Sequence, residues 1–129
     1  MKYQIPAMLE TGGGAIVNTA SVGALMVFEG YAPYSASKCG VIGLTKVAAV
    51  EYASKGIRIN AVAPGAILTP LFFDVLEKSP AKREDFEKQT PMKRSAKSEE
   101  VAAAVTWFCS DAASFITGTV LPVDGGMTL

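Results

Sequence analysis

The stretch Ala15–Ser21, which reads AIVNTAS, decides the fold of this chain. It is a short apolar run that follows three glycines at 12–14 and ends in small polar residues. Such a run between turn signals is typical of a strand buried in a parallel sheet. The sequence therefore predicts a strand over 15–19, with the Ser21 side chain just beyond its carboxyl end.

Strands and helices alternate on both sides of this stretch. The other predicted segments are the end of a helix at 1–11, a helix over about 34–53, a strand over 57–62, a helix that has Ser98 as its N-cap, and a strand over 119–123. The apolar spacing of the long helix predicts one buried face, made by Val41, Leu44, Ala48 and Tyr52. This order of segments predicts a doubly wound α/β fold, in which a parallel sheet is covered on both faces.

The segment over 66–97 shows no clear period. It contains three prolines and, in its second half, charges of both signs. We predict that it is an irregular substrate-loop region, since a connection of this length in a compact domain is usually functional or mobile. Its apolar residues would cover a substrate, or would simply pack on the body of the domain. The charges over 82–97 are expected to be solvated surface.

Composition limits the class of protein. The 129 residues suit one domain, half of them are hydrophobic, and twelve basic residues offset twelve acidic ones. Because no basic stripe is present, we expect no nucleic-acid partner. No segment has the apolar core of a signal peptide or the length of a membrane span, so we expect no membrane partner and a cytoplasmic location.

The sequence has no histidine. This excludes a Ser-His-Asp hydrolase, a Cys-His protease and a histidine zinc site, and we expect no metal. Acid–base chemistry must therefore use Tyr, Lys, Asp, Glu or Cys. The two cysteines, Cys39 and Cys109, form no paired motif, and we predict that both are buried, inert thiols.

Two candidate catalytic groups are expected near the same sheet edge as Ser21. Ligands of open parallel sheets bind outside the carboxyl ends of the strands, and the long helix starts near that edge. Tyr34 and Lys38 are four residues apart, so they share one face of this helix. A free tyrosine titrates near about 10, and a neighbouring ammonium favours its ionised form. On this spacing alone, an ordinary surface Tyr–Lys pair is the alternative.

Four motifs together give a more specific signal. They are, in chain order, Ala15–Ser21, Tyr34-Ser35-Ala36-Ser37-Lys38, Asn60–Gly65 and Val123–Gly126. Their order and spacing, including the thirteen positions from Ser21 to Tyr34, closely resemble the short-chain dehydrogenase/reductase family. The resemblance covers essentially the whole chain. It implies an NAD(P)-dependent enzyme that interconverts a carbonyl and a secondary alcohol by hydride transfer.

The resemblance also implies roles for individual residues. Tyr34 would be the general acid/base, Ser21 would orient and polarise the substrate oxygen, and Lys38 would bind the nicotinamide ribose and favour the ionised form of Tyr34. The cofactor, NAD or NADP, would contact Tyr34, Lys38, Pro64, Gly65, the backbone of Ile67 and the hydroxyl of Thr69. The residues expected to line the substrate pocket are Ser21, Phe28, Tyr31 and Phe72.

One part of the family pattern has no counterpart in the chain. The family's glycine-rich phosphate loop follows its first strand, whereas Gly12-Gly13-Gly14 precedes a strand. The resemblance therefore implies the C-terminal half of a Rossmann-like sheet, which is one partial domain over 1–129 without the N-terminal strands. We expect these residues alone to be inactive.

Two hypotheses follow for function. The first is an oxidoreductase that acts on a small carbonyl or alcohol and whose complete form is a homo-oligomer, either a dimer or a tetramer. The second is a truncated, non-catalytic remnant that acts as an association module. Measuring NAD(P)H binding to the purified chain discriminates between them, because tight binding by this half would contradict a cofactor site that lies mostly elsewhere.

Overall fold

Three parallel strands form the sheet of the computed structural model, which describes residues 1–78 and 80–129. The strands are β1 (Gly14–Thr19), β2 (Ile57–Pro64) and β3 (Val120–Val123), and they lie in the order β1-β2-β3. β2 lies in the middle and pairs in parallel with both neighbours. The predicted parallel sheet is confirmed.

Five α-helices occur among the described residues. They are α1 (Gln4–Glu10), α2 (Ala32–Tyr52), α3 (Pro70–Lys78), α4 (Arg83–Gln89) and α5 (Ser98–Cys109). Pro33 lies in the first turn of α2, where a missing backbone N–H costs no hydrogen bond. Beyond α2 and one 3₁₀ turn, Gly56 at φ 75° lets the chain reverse into β2. No helix of the described part of the chain is long and apolar enough to cross a membrane.

The two faces of the sheet bury different clusters. On one face, Ala48 and Ala49 of α2 pack against Ile16, Ile57 and Ile59. The other face is closed by α5, whose fully buried Phe108 contacts a group that includes Val62 and Ala113. Burying a side chain such as Phe108 contributes roughly 1.5–3 kcal/mol. The strands are thus fixed in place between two helices, and their carboxyl ends are left free for a site.

The predicted buried face of α2 is partly wrong. Leu44 is 58% exposed, whereas Thr45, a polar residue, is fully buried. Thr45 Oγ1 donates to the Val41 carbonyl and accepts from Asn18 Nδ2, so its burial leaves no polar atom unsatisfied. The buried face of α2 is therefore shifted by about one residue from the face that its apolar residues alone predict.

The prediction of two buried cysteines is also wrong. Cys39 and Cys109 are both exposed. Cys39 lies beside the buried side of α2, with its Sγ 3.6 Å from the Ala24 carbonyl, and Cys109 is the last residue of α5. Helix position, rather than the preference of the thiol for burial, decides their exposure.

The sequence predicts that the segment over 66–97 is irregular, and this prediction is wrong, because the segment contains α3 and α4. Residue 79 lies outside the described residues. The Thr69 hydroxyl accepts the Phe72 backbone N–H and begins α3, and the Asp85 carboxylate accepts the Lys82 N–H and begins α4. Both helices are short and have prolines at or near their ends, so the sequence pattern did not predict them. The predicted N-cap of α5 is wrong by one residue, because Lys97 holds that position and its N–H donates to Glu100.

Candidate active site

Ser21 and Tyr34 lie side by side beyond the carboxyl end of β1. Ser21 is buried, and its Oγ accepts a hydrogen bond from the Gly23 backbone N–H at 3.1 Å. A methyl group added to Gly23 would lie 3.1 Å from Tyr34 Cε1 and 3.5 Å from Ser21 Oγ. The two side chains therefore flank a residue that has no side chain of its own. Tyr34 is 39% exposed, which leaves it open to a ligand.

Lys38 lies on the same side of α2 as Tyr34. Its Nζ is 5.7 Å from the centroid of the Tyr34 ring and donates a hydrogen bond to the Thr19 carbonyl at 3.1 Å. Thr19 is the last residue of β1, so the lysine reaches the same sheet edge as Ser21. The shared helix face predicted from the spacing of Tyr34 and Lys38 is confirmed. Ser21, Tyr34 and Lys38 are called the Ser–Tyr–Lys cluster below.

An aromatic row leads to this cluster. Phe28 packs edge-on against Tyr31 with ring centroids 6.1 Å apart, and Tyr31 packs edge-on against Tyr34 at 6.3 Å. The structure thus places Tyr31 beside the candidate acid/base, with Phe28 on the far side of Tyr31 in the ring contacts. The Phe72 ring packs edge-on against Phe86 of α4, with centroids 5.2 Å apart. No ring contact among the described residues joins Phe72 to Tyr34.

The carboxyl end of β2 supplies the second part of the site. Pro64 ends the strand, and Gly65 donates its N–H to the Val123 carbonyl at 3.1 Å. A Cβ on Gly65 would come within 3.0 Å of both Cα and Cβ of Asp124. The glycine in this motif is therefore needed for the close approach of the chain that follows β3.

Ile67 is held by its neighbours through the backbone. Ala96 donates its N–H to the Ala66 carbonyl at 3.0 Å and accepts the Leu68 N–H at 2.9 Å, which makes a parallel bridge centred on Ile67. Backbone groups alternate in direction along an extended segment, so the N–H and C=O of Ile67 point away from Ala96. Thr69 Oγ1 lies 3.3 Å from the Ile67 carbonyl and also caps α3.

Two carboxylates, Glu87 of α4 and Glu100 of α5, make charged contacts that the sequence did not lead us to expect. Arg94 binds Glu100 with both guanidinium NH groups, at 2.6 and 2.8 Å. Hydrogen bonds from Arg94 and from the Lys97 backbone lower the pKa of Glu100 to about 2. Hydrogen bonds from Arg83 and from Ser95 lower the pKa of Glu87. The i, i+4 spacing of Arg83 and Glu87 was the available signal for one of these pairs.

A groove of about 420 Å³ lies beside these groups, between the segment around Ala96 and the turn after β3. The turn is held by Asp124, whose carboxylate accepts the N–H groups of Gly126 and Thr128. Gly125 at φ 63° and Gly126 at φ 89° adopt backbone conformations that favour glycine. The Asp-Gly-Gly motif thus shapes one wall of the groove.

The structure therefore has the fold of one half of a doubly wound α/β protein, with two hydroxyl groups and an ammonium at the carboxyl edge of the sheet. A family model described as enoyl-(acyl carrier protein) reductase matches residues 1–128. The chain belongs to the short-chain dehydrogenase/reductase family.

Individual relatives agree with this assignment. Cyclohexanol dehydrogenase from an Acinetobacter species is 49% identical over 99% of this chain and 49% of its own length. The crystal structure of levodione reductase matches with a TM-score of 0.94 and 42% identity, over 98% of this chain and 51% of the other. ElxO with NADP bound matches at a TM-score of 0.88 and 39% identity, over 98% and 51%. The chain spans about half the length of the relatives it matches.

Proposed function

We propose that this chain is the catalytic half of an NAD- or NADP-dependent oxidoreductase that interconverts a carbonyl compound and a secondary alcohol. The proposal rests chiefly on the closeness of Ser21 Oγ and the Tyr34 ring to the same residue, Gly23, which would let one substrate oxygen meet both hydroxyls. Family membership supports oxidoreductase chemistry in general, since the relatives are dehydrogenases and reductases.

Tyr34 would act as the general acid/base. In reduction, its hydroxyl donates a proton to the carbonyl oxygen, and in oxidation it accepts the proton of the alcohol. Ser21 would donate a hydrogen bond to the same oxygen, because its Oγ accepts from Gly23 and so keeps its own hydrogen free. The bound nicotinamide cofactor would supply or accept the hydride.

The described residues fit the nicotinamide end of such a cofactor. Lys38 offers an ammonium that can move from the Thr19 carbonyl to the hydroxyls of a ribose. Ile67 presents its backbone N–H and C=O away from Ala96, as a carboxamide requires. Pro64 and Gly65 set the path of this segment. The Thr69 hydroxyl already donates to the Ile67 carbonyl and accepts the Phe72 N–H as a helix cap, so it would serve the cofactor only through its remaining lone pair.

A ring-shaped apolar alcohol is the substrate class that the aromatic row favours. Phe28 and Tyr31 give a flat apolar surface beside Tyr34, and aromatic faces pack well on other rings. A close relative is named for the cyclic alcohol cyclohexanol. The 66–97 segment, with Phe72 packed on Phe86, would then close over the substrate as its loop region.

A chimera tests this proposal. The residues of the Acinetobacter cyclohexanol dehydrogenase that precede its aligned region are joined to Met1, and turnover of cyclohexanol is followed with NAD and with NADP. We expect activity, and a loss of about 10²–10⁴-fold in kcat for Tyr34→Phe with cofactor binding retained. Tyr3→Phe removes the same hydroxyl from a tyrosine that is 79% exposed at the start of α1, outside the proposed site, and should stay near the parent rate. A folded, cofactor-binding chimera that has equal rates with and without the Tyr34 hydroxyl would refute the role.

The alternative is a non-catalytic association module. It is favoured by an exposed apolar row on α2, made by Leu44, Val47 and Val50. The row also suits the homo-oligomer that we expect of the active enzyme. The chimera separates the two functions, because a remnant without catalytic competence would assemble but would not transfer hydride.

A further inference from the structure

Glu87 of α4 accepts three hydrogen bonds on a single carboxylate oxygen. Its Oε1 accepts from Arg83 Nε at 2.6 Å and from both the backbone N–H and the hydroxyl of Ser95, each at 3.0 Å. The side chain is only 21% exposed, and Ser95 is buried. The Glu87 carboxylate of α4 therefore holds the buried Ser95 and fixes the position of the chain between α4 and α5.

The fixed residue leads directly to Ile67. Ser95 is followed by Ala96, whose N–H and carbonyl bind the Ala66 carbonyl and the Leu68 N–H on the two sides of Ile67. Ser95 and Ala96 are adjacent in the chain, so an anchor on the Ser95 N–H also fixes the peptide that joins them. Glu87 is thus connected to the segment after β2 by hydrogen bonds and by the peptide bond between Ser95 and Ala96.

We infer that Glu87 is a positioning residue that holds the backbone of Ile67 in place through Ser95 and Ala96. The inference rests on the proposed function only for what Ile67 would bind, the nicotinamide of the cofactor. The requirement for an acceptor at Glu87 does not depend on that proposal. Since the backbone N–H of the buried Ser95 would lose its acceptor, replacing Glu87 by a residue without a side-chain oxygen should loosen the bridge measurably.

Amide hydrogen exchange of the chain, followed by NMR, tests the inference without any cofactor. In Glu87→Ala, exchange of the Leu68 and Ala96 amides should become at least about tenfold faster, as expected for the loss of hydrogen bonds to a charged acceptor. The Ala61 amide, which binds the Thr119 carbonyl at the sheet, should keep its protection. Glu87→Gln retains a side-chain oxygen for Ser95 and should restore slow exchange.

Glu84→Ala is the matched control, because Glu84 is an exposed carboxylate on the same helix. It should leave both bridge amides unchanged. Unchanged Leu68 and Ala96 amides in Glu87→Ala would overturn the inference, and so would equal loss of protection at Ala61, which would show a general structural role. A Gln variant that is as loose as the Ala variant would also overturn it, because the ion pair with Arg83 would then be the active element.

The same variants in the chimera separate this inference from the proposed function. We expect Glu87→Ala to weaken NADH binding about tenfold or more, and Glu87→Gln to stay within about threefold of the parent. If the parent chimera binds neither NADH nor NADPH while the bridge amides respond as described, the proposed function fails and the positioning role stands. If NADH binds and the amides do not respond, the positioning role fails alone.

Discussion

At the scale of single residues, Gly23 determines how close Ser21 and Tyr34 can come. It has an ordinary backbone conformation, so alanine is allowed there, but its Cβ would lie 3.1 Å from Tyr34 Cε1. We predict that Gly23→Ala shifts the tyrosine ring and lowers kcat of the chimera by about tenfold or more, because small displacements of a reacting group are costly. Stability should change little. Steady-state kinetics and the NMR shifts of the Tyr34 ring are the measurements.

Gly43→Ala is the control for this variant. Gly43 lies on α2, and a Cβ there would meet nothing within 4 Å. It should leave kcat unchanged. If Gly23→Ala is as active as Gly43→Ala and its Tyr34 ring shifts are unaltered, then the close contact around Gly23 does not position the tyrosine.

The candidate site was predictable from sequence where local geometry sets it. Tyr34 and Lys38 are one helical turn apart, and this spacing alone places them on one face. Glu87 was not predictable in the same way. Its partner Ser95 lies eight residues further on, beyond the end of α4. Nothing in the local pattern shows that a charged residue of a polar stretch will bind a buried backbone N–H.

At the scale of elements, Asn60 joins β2 to the chain entering β3. The residue is buried, its Nδ2 donates to the Ile116 carbonyl, and its Oδ1 accepts the Thr119 N–H. We predict that Asn60→Ala lowers the free energy of unfolding by about 2–4 kcal/mol, since two buried backbone groups lose their partners. Urea denaturation followed by circular dichroism measures it. Thr106→Ala, on the exposed side of α5, should change stability by less than about 0.5 kcal/mol.

The start of α5 should make stability depend on acidic pH. Glu100 has a folded-state pKa of about 2, lowered from the model-compound value of 4.5 by hydrogen bonds from Arg94 and Lys97. A lowered folded pKa stabilises the fold above the unfolded pKa, and this stabilisation is lost as pH falls from about 4.5 towards 2. We predict that Glu100→Gln is less stable than the parent at pH 6, and that the difference shrinks by pH 2.5.

Denaturation midpoints at a series of pH values measure this difference. Glu99→Gln is the control, because Glu99 is an exposed neighbour in the same first turn of α5. If the difference in denaturation midpoint between Glu100→Gln and the parent stays constant from pH 6 to 2.5, then the Arg94–Glu100 pair makes no pH-dependent contribution to stability.

The long elements were easier to predict than the short ones. β1, α2 and β2 have a strong period or a clear apolar run, and their existence follows from the sequence alone. The helices α3 and α4 have nine and seven residues, and each begins at a cap made by one polar side chain. The burial of Thr45 in place of Leu44 depends on a hydrogen bond from Asn18 on another element, which helical periodicity does not report.

At the scale of the whole molecule, β1 forms one edge of the sheet and α2 carries an apolar row on its outer side. The side chains of this row, Leu44, Val47 and Val50, are exposed, whereas Ala48 and Ala49 face the sheet. Strands that extend the sheet would pair beside β1, in the plane of the sheet, so they would not cover this row. A second copy of the chain is the occupant that we propose for it.

Replacing Val50 tests this assignment, since it is 82% exposed in the single chain and should be covered in an oligomer. We predict that the parent is a dimer or tetramer by light scattering at micromolar concentration, and that Val50→Asp is a monomer with an unchanged circular dichroism spectrum. Burying an unpaired carboxylate at an interface is strongly unfavourable, whereas the same carboxylate on a free surface costs little. Thr106→Asp adds the same charge at an exposed site on another helix, α5, and should stay oligomeric. A monomeric parent, or an equal loss of assembly in both variants, would mean that the apolar row is not where copies of the chain meet.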